Sequence, residues 1–195
     1  MKKTLTALLA VGLISSASAI SLSWTATGIA FGAGNTLKSD TGLTAYLVYL
    51  GNEGSLAASY SKDDLASMIS DASSTAGRSV SGTTSRGLVA TSYNMTAEDP
   101  TVFNGDVYTI LLTYASEGKT YYNLSAKTYT VEGIANETST LGQYNTVTAA
   151  NQNYTVNSAP ASSVSAGGGW TAVPEPSTAA LALAGLALLL KRRKA

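Results

Sequence analysis

The sequence predicts a mainly β fold, an antiparallel sheet or β-sandwich with one short amphipathic helix, plus a helical targeting segment at each end. Charged residues are only 12% of the chain. Ser, Thr, Ala, Gly and Tyr dominate instead, and low charge with frequent Thr, Tyr and Val favours strands. Apolar and polar side chains alternate along much of residues 20–173, as in half-buried strands.

Two early segments have clear strand patterns. Leu22, Trp24 and Ala26 alternate with Ser and Thr, which predicts a strand with one buried face. Residues 43–50 form a nearly continuous apolar run with two tyrosines, which is typical of a central strand.

An antiparallel meander is predicted over residues 101–131. Asn104-Gly105 is a strong hairpin signal, and a second turn follows at residues 116–118. These turns separate predicted strands over residues 101–103, 106–115 and 119–131. One further strand is expected around residues 153–156.

The single internal helix is predicted over residues 62–72. Ser61 is an N-cap candidate, and Asp64 three residues later completes a capping-box pattern. The apolar face at helical spacing consists of Leu65, Met68, Ile69 and Ala72. We expect this helix to pack on a sheet.

The first nineteen residues read as a secretory signal peptide. Lys2 and Lys3 precede an apolar run over residues 5–14, and Ala17-Ser18-Ala19 follows as an A-x-A cleavage site. We therefore expect export by the Sec machinery and cleavage after Ala19, at a site defined by Ala17 and Ala19.

The last part of the chain has three pieces in order. Residues 167–173 are rich in glycine and are predicted to be a flexible linker. Residues 174–195 then contain Pro174-Glu175-Pro176, an apolar run over 179–190, and a basic end. As a helix, this run of twelve residues is only about 18 Å long, whereas the hydrocarbon core of a bilayer is about 30 Å thick and needs about 20 residues. We therefore expect the run to stop in the membrane only transiently. The cationic residues that stay on the cytoplasmic side are Lys191, Arg192, Arg193 and Lys194.

This tail closely resembles the PEP-CTERM sorting signal. The resemblance implies that the chain is a substrate of exosortase, a membrane-embedded cysteine protease or transpeptidase, with cleavage at or near Pro174-Glu175-Pro176. It also implies a Gram-negative type of envelope, usually in a species that makes extracellular polysaccharide. The resemblance does not extend to the β-rich domain predicted over residues 20–166.

Composition excludes several kinds of chemistry. The chain has no cysteine and no histidine, so disulfides, thiolate nucleophiles and histidine bases or ligands are excluded. Residues 20–173 hold six basic and eleven acidic side chains without a basic cluster, which argues against nucleic-acid binding. We assign no catalytic residue, cofactor or metal ligand.

The remaining motifs lack the context that their chemistry needs. Ser59-Tyr60-Ser61-Lys62 matches S-x-x-K without the other elements of serine acyl enzymes. The carboxylate pairs Asp63/Asp64 and Glu98/Asp99 are explained by helix capping and turns. Asp99, Asn104 and Asp106 could converge around a loop as calcium ligands.

Three function classes stay open at this point. A non-enzymatic cell-envelope or extracellular-matrix protein is the leading one. A carbohydrate-binding or adhesin module would need exposed, clustered tyrosines, among which Tyr108, Tyr114, Tyr121 and Tyr122 are the ones to examine. A hydrolase using only Asp and Glu would need two carboxyls facing each other across a groove.

Overall fold

The computed structural model describes residues 21–33, 36–37, 42–75, 77–82, 102–132, 138–146 and 153–174. Both targeting segments therefore lie outside the described residues, except for the start of the tail at Pro174. The elements in the described part are β1 (Ser21–Thr27), β2 (Leu43–Asn52), β3 (Ser59–Ser61), α1 (Lys62–Ser74), β4 (Ser79–Ser81), β5 (Asp106–Ser116), β6 (Lys119–Leu124), β7 (Tyr129–Thr130), β8 (Thr138–Asn145), β9 (Val156–Asn157), β10 (Ser163–Ser165) and β11 (Trp170–Val173).

The mainly β prediction is confirmed, but the sheet is mixed instead of wholly antiparallel. The main sheet has the strand order β4-β2-β5-β6-β11-β9, and β7 pairs with β5. Its last pair, β11 with β9, is parallel. Outside the main sheet, β1 pairs in parallel with β8, and β3 pairs antiparallel with β10. The polar sequence of β8 carried no strand signal, so this pair was not predicted.

Both faces of the main sheet are buried, which produces a layered architecture. On one face, Leu47, Ile110 and Trp170 pack with Trp24 of β1 in the larger apolar cluster. On the other face, a smaller cluster joins the sheet to α1 and to the β3–β10 pair, through Val48, Leu65, Leu111, Leu124 and Val164. The alternation in β1 is confirmed, since Leu22, Trp24 and Ala26 are all buried.

The predicted meander is correct for the hairpin at residues 116–118, whereas the turn at Asn104-Gly105 is present without the hairpin predicted there. Glu117 and Gly118 both have positive φ, 52° and 71°, and they join β5 to β6 as a two-residue hairpin. Gly105, with φ of 91°, also lies in a turn. However, residues 102–103 before that turn form no strand, and β5 pairs instead with β2, which lies far away in sequence.

The helix begins and ends close to the predicted residues. It covers Lys62–Ser74, two residues longer than expected, and Leu65 and Ala72 are its buried residues. The predicted capping box is present: the Asp64 amide donates to Ser61 Oγ, and the Ser61 amide donates to Asp64 Oδ2 at 2.9 Å. The Ser61 hydroxyl also donates to Asp64 Oδ2, at 2.6 Å, and the hydrogen bonds from the Ser61 hydroxyl and amide together lower the pKa of the Asp64 carboxyl.

The prediction of a flexible linker over residues 167–173 is wrong for its second half. Trp170–Val173 form strand β11 inside the main sheet, and all four residues are buried. Gly167 and Gly169 have φ of 74° and 78°, in the left-handed region that favours glycine. A Cβ at Gly169 would also lie 2.6 Å from the Thr155 carbonyl oxygen. These two glycines therefore allow the backbone to turn and to pass close to its neighbours as it enters the sheet, and they do not form a flexible tether.

Candidate functional site

The boundary between the domain and the tail lies at the end of β11. Val173 is opposite Thr120 of β6, and the Ala172 carbonyl accepts a hydrogen bond from the Ala161 amide at 2.9 Å. Pro174 follows immediately and is exposed. The folded sheet therefore continues up to the residue before the Pro-Glu-Pro tripeptide. We call Ala172, Val173 and Pro174 the tail root.

A lysine from the helix contacts the tail root. Lys62, the first residue of α1, donates a hydrogen bond from Nζ to the Pro174 carbonyl oxygen at 2.9 Å. This bond joins residues that are 112 positions apart in sequence. It also shows what the lysine of the S-x-x-K match contacts, which is the start of the tail. Nothing local in the sequence could have indicated this contact.

An open pocket of about 140 Å³ lies beside the tail root. The β5–β6 turn contributes Gly118 and Lys119, and Pro160 forms part of the wall together with the tail root itself. Lys62 and Lys119 thus place two cationic side chains around the point where the tail leaves the sheet.

A second polar site surrounds Asp106, which is completely buried. Its Oδ1 accepts hydrogen bonds from the Tyr49 hydroxyl at 3.1 Å and from Asn52 Nδ2 at 3.2 Å. Its Oδ2 accepts from the Phe103 amide at 2.8 Å. Desolvation and the Asp106 carboxylate together raise the pKa of the Tyr49 hydroxyl. Asp106 therefore serves as an internal acceptor for three donors.

The predicted convergence of calcium ligands is only partly described. Asn104 and Asp106 share one turn, whereas Asp99 lies outside the described residues, as does the Glu98/Asp99 pair. The described part of the chain contains no group of three or more Asp or Glu residues that could hold a metal ion. The other carboxylate pair, Asp63 and Asp64, lies in the first turn of α1, where Asp64 completes the cap.

Of the four tyrosines singled out from the sequence, two are buried and two are half-buried. Tyr108 and Tyr121 are each only 2% exposed. Tyr114 is half-buried against the larger cluster, and Tyr122 is half-buried against the smaller one. None of the four forms the exposed stacking face that a carbohydrate site would need. In the described part, the large apolar side chains that count as exposed are Phe103, with 58% of its surface accessible, and Tyr49, with 38%.

A buried polar network connects β6, β8 and the segment before β9. The Tyr144 hydroxyl donates to Asn123 Oδ1 at 2.8 Å and accepts from Asn153 Nδ2 at 3.2 Å. Asn123 Nδ2 in turn donates to the Asn153 carbonyl at 2.6 Å. Burial raises the pKa of the Tyr144 hydroxyl well above its ordinary value. Asn123 and Asn153 each begin an N-x-S/T triplet, the acceptor pattern for N-glycosylation. In this fold their side-chain amides instead donate hydrogen bonds within the network.

Comparison with known proteins adds one match. A family model for the PEP-CTERM protein-sorting motif matches residues 172–194. No curated protein and no solved structure matches the chain. The chain thus carries the sorting motif that its sequence predicts. This motif supports secretion and sorting by exosortase, toward the cell envelope or surface of a bacterium.

The matched region overlaps the folded domain. It starts at Ala172, so Ala172 and Val173 belong both to the motif and to strand β11. Of the residues predicted for signal cleavage, sorting and the basic end of the tail, Pro174 is described and is at the surface of the domain. The others lie outside the described residues, namely Ala17, Ala19, Glu175, Pro176, Lys191, Arg192, Arg193 and Lys194. Within the described residues, no helix has both the length and the apolar character needed to cross a membrane.

Proposed function

We propose that this chain is a non-enzymatic cell-envelope or extracellular-matrix protein of a Gram-negative-type bacterium. The Sec machinery exports it, the C-terminal apolar run holds it briefly in the membrane, and exosortase cleaves it at or near Pro174-Glu175-Pro176. The observation that carries this proposal is the sorting motif at residues 172–194, which begins at the edge of a folded domain.

The polar interior supports a structural role for the domain. Asp106, Asn123 and Arg78 are buried, and their polar groups are used to connect elements of the fold. Arg78 Nε donates to the Leu47 carbonyl at 3.0 Å, and its Nη2 forms an ion pair with Asp71 at 2.8 Å. Groups held by internal partners in this way add rigidity and specify one packed state. A rigid exported module of this kind suits a component of the cell surface.

We expect the double variant Glu175→Ala/Pro176→Ala to accumulate as an unprocessed precursor. Both changes lie beyond β11, so the domain should fold as before while the cleavage signal is lost. The masses of the protein in membrane and culture fractions of the host measure the effect. Ser177→Ala is the matched control and should be processed normally. Normal processing of the double variant, or of the wild type in a host without exosortase, would contradict the proposal.

A second candidate function, carbohydrate binding, is favoured by the corner around Asp106. Phe103 and Tyr49 are exposed there, and the exposed residues Asn52 and Asn104 add polar groups at the same corner. Exposed aromatic side chains next to hydrogen-bonding groups are common in ligand sites. The ligand class would be extracellular polysaccharide of the producing cell.

For this second function, Phe103→Ala should weaken polysaccharide binding roughly threefold to tenfold, the loss expected for one aromatic contact. Affinity electrophoresis in gels that contain the host polysaccharide measures the change. Phe103→Tyr keeps the ring and should retain binding. If the wild-type protein is not retarded, or if Phe103→Ala is retarded equally, carbohydrate binding at this corner is ruled out.

A further inference from the structure

Strand β11 has backbone partners on both sides immediately before the processing signal. On one side, Thr171, Ala172 and Val173 are opposite residues 122, 121 and 120 of β6. On the other side, Trp170 and Thr171 pair in parallel with β9, and the Ala161 amide donates to the Ala172 carbonyl. The peptide groups up to the tail root are therefore occupied within the sheet.

The side chains of β11 are as firmly placed as its backbone. Trp170 is completely buried, and its indole N–H donates to the Ala30 carbonyl at 2.7 Å. Ala172 belongs to the larger apolar cluster and Val173 to the smaller one, so the strand contributes to both faces of the sheet. Withdrawing β11 would open both clusters.

This arrangement restricts how an enzyme can bind the chain. A peptide that is recognised in extended form commonly adds to an enzyme as an extra strand and needs unpaired backbone groups. Residues 171–173 are already paired along the β6 side while the domain is folded. Pro174 lies outside this pairing, and its carbonyl oxygen accepts a hydrogen bond from Lys62 Nζ.

We propose that exosortase receives this protein with the domain folded and β11 in place, and that it contacts the main chain only from Pro174 toward the C-terminus. The domain surface that then faces the enzyme is the rim around the tail root, formed by Lys62, Gly118, Lys119 and Pro160. The mature protein keeps Trp170 and thus its complete core. This inference rests on the proposed processing by exosortase.

A disulfide clasp tests whether β11 must open. Thr171 and Tyr122 are opposite each other in register and lie outside the matched motif, and the chain has no cysteine of its own. The variant Thr171→Cys/Tyr122→Cys can therefore form only this one intramolecular bridge, and non-reducing electrophoresis distinguishes it from disulfide-linked dimers by size. Thr171→Ser/Tyr122→Ser is the matched control. We expect the bridged protein to be processed at the rate of this control, as measured by pulse–chase of the precursor. Accumulation of bridged precursor while the serine control matures would overturn the proposal.

A spacer variant provides a second test that leaves β11 unchanged. A short Gly-Ser segment inserted between Val173 and Pro174 supplies unpaired residues before the signal. We expect processing no faster than in the wild type, because the enzyme does not use that side of the chain. Processing several times faster would show that the closed strand hinders the enzyme and would overturn the proposal. If the wild-type tail itself is never cut, exosortase processing fails instead, so the two failures are distinguishable.

Discussion

Replacing Trp170 by alanine should lower the free energy of unfolding of the domain by about 3–5 kcal/mol, the usual range for removing a large buried aromatic side chain. The ring is completely buried, and its centroid lies 5.7 Å from that of Phe31 and 6.1 Å from that of Tyr114. The variant also leaves the Ala30 carbonyl without its indole donor.

Urea unfolding of the purified protein, followed by circular dichroism, measures this loss. Trp170→Phe is the matched control, because it keeps an aromatic ring in the cluster and should lose less stability than the alanine variant. If residues 167–173 were a flexible linker, Trp170→Ala would change the unfolding midpoint hardly at all. That result would contradict the placement of β11 in the sheet.

Asp106→Ala is expected to have the second large effect, a loss of roughly 2–4 kcal/mol, because hydrogen bonds to a buried charged acceptor are stronger than ordinary ones. The substitution leaves the Tyr49 hydroxyl, the Asn52 amide and the Phe103 N–H without their shared acceptor. The turn before β5 would lose the side chain that holds it.

The same unfolding experiment distinguishes this role from a surface effect. Glu53→Ala changes an exposed carboxylate near this turn and should stay within about 0.5 kcal/mol of the wild type. A neutral effect of Asp106→Ala would contradict its role as a buried acceptor. The free energy of unfolding of a single domain is only about 5–15 kcal/mol, so the loss expected for Trp170→Ala or for Asp106→Ala is a large fraction of the stability of the domain.

Patterns confined to a few neighbouring residues were predicted well from the sequence. The capping box at Ser61 and Asp64 depends on residues three apart, and it is present with the expected hydrogen bonds. The alternation in β1 and the apolar run of β2 correspond to buried strands. The sorting motif is also a local pattern, and its match at residues 172–194 confirms it.

Patterns whose meaning depends on distant partners were predicted poorly. Three successive glycines are compatible both with a tether and with a close approach to a neighbouring strand. The nearness of the Thr155 carbonyl to Gly169, and the strand that follows the glycines, distinguish the two. Likewise, Asn104-Gly105 forms a turn, yet β5 takes β2 as its neighbour in place of residues 102–103. Pairing is decided by which apolar faces can be buried together, and a turn signal does not contain that information.

The mainly β class follows from composition and from alternation along the chain, and the helix with its cap and the sorting signal each follow from residue spacing within one short segment. The place where the folded domain ends depends instead on contacts between segments that are distant in sequence. Trp170–Val173 are a short segment whose strand character comes from β6 and β9, and the Lys62 contact joins α1 to Pro174 across 112 positions. Packing between distant segments places Pro174, the first residue of the processing signal, directly after a paired strand and beside α1, and no local pattern records that proximity.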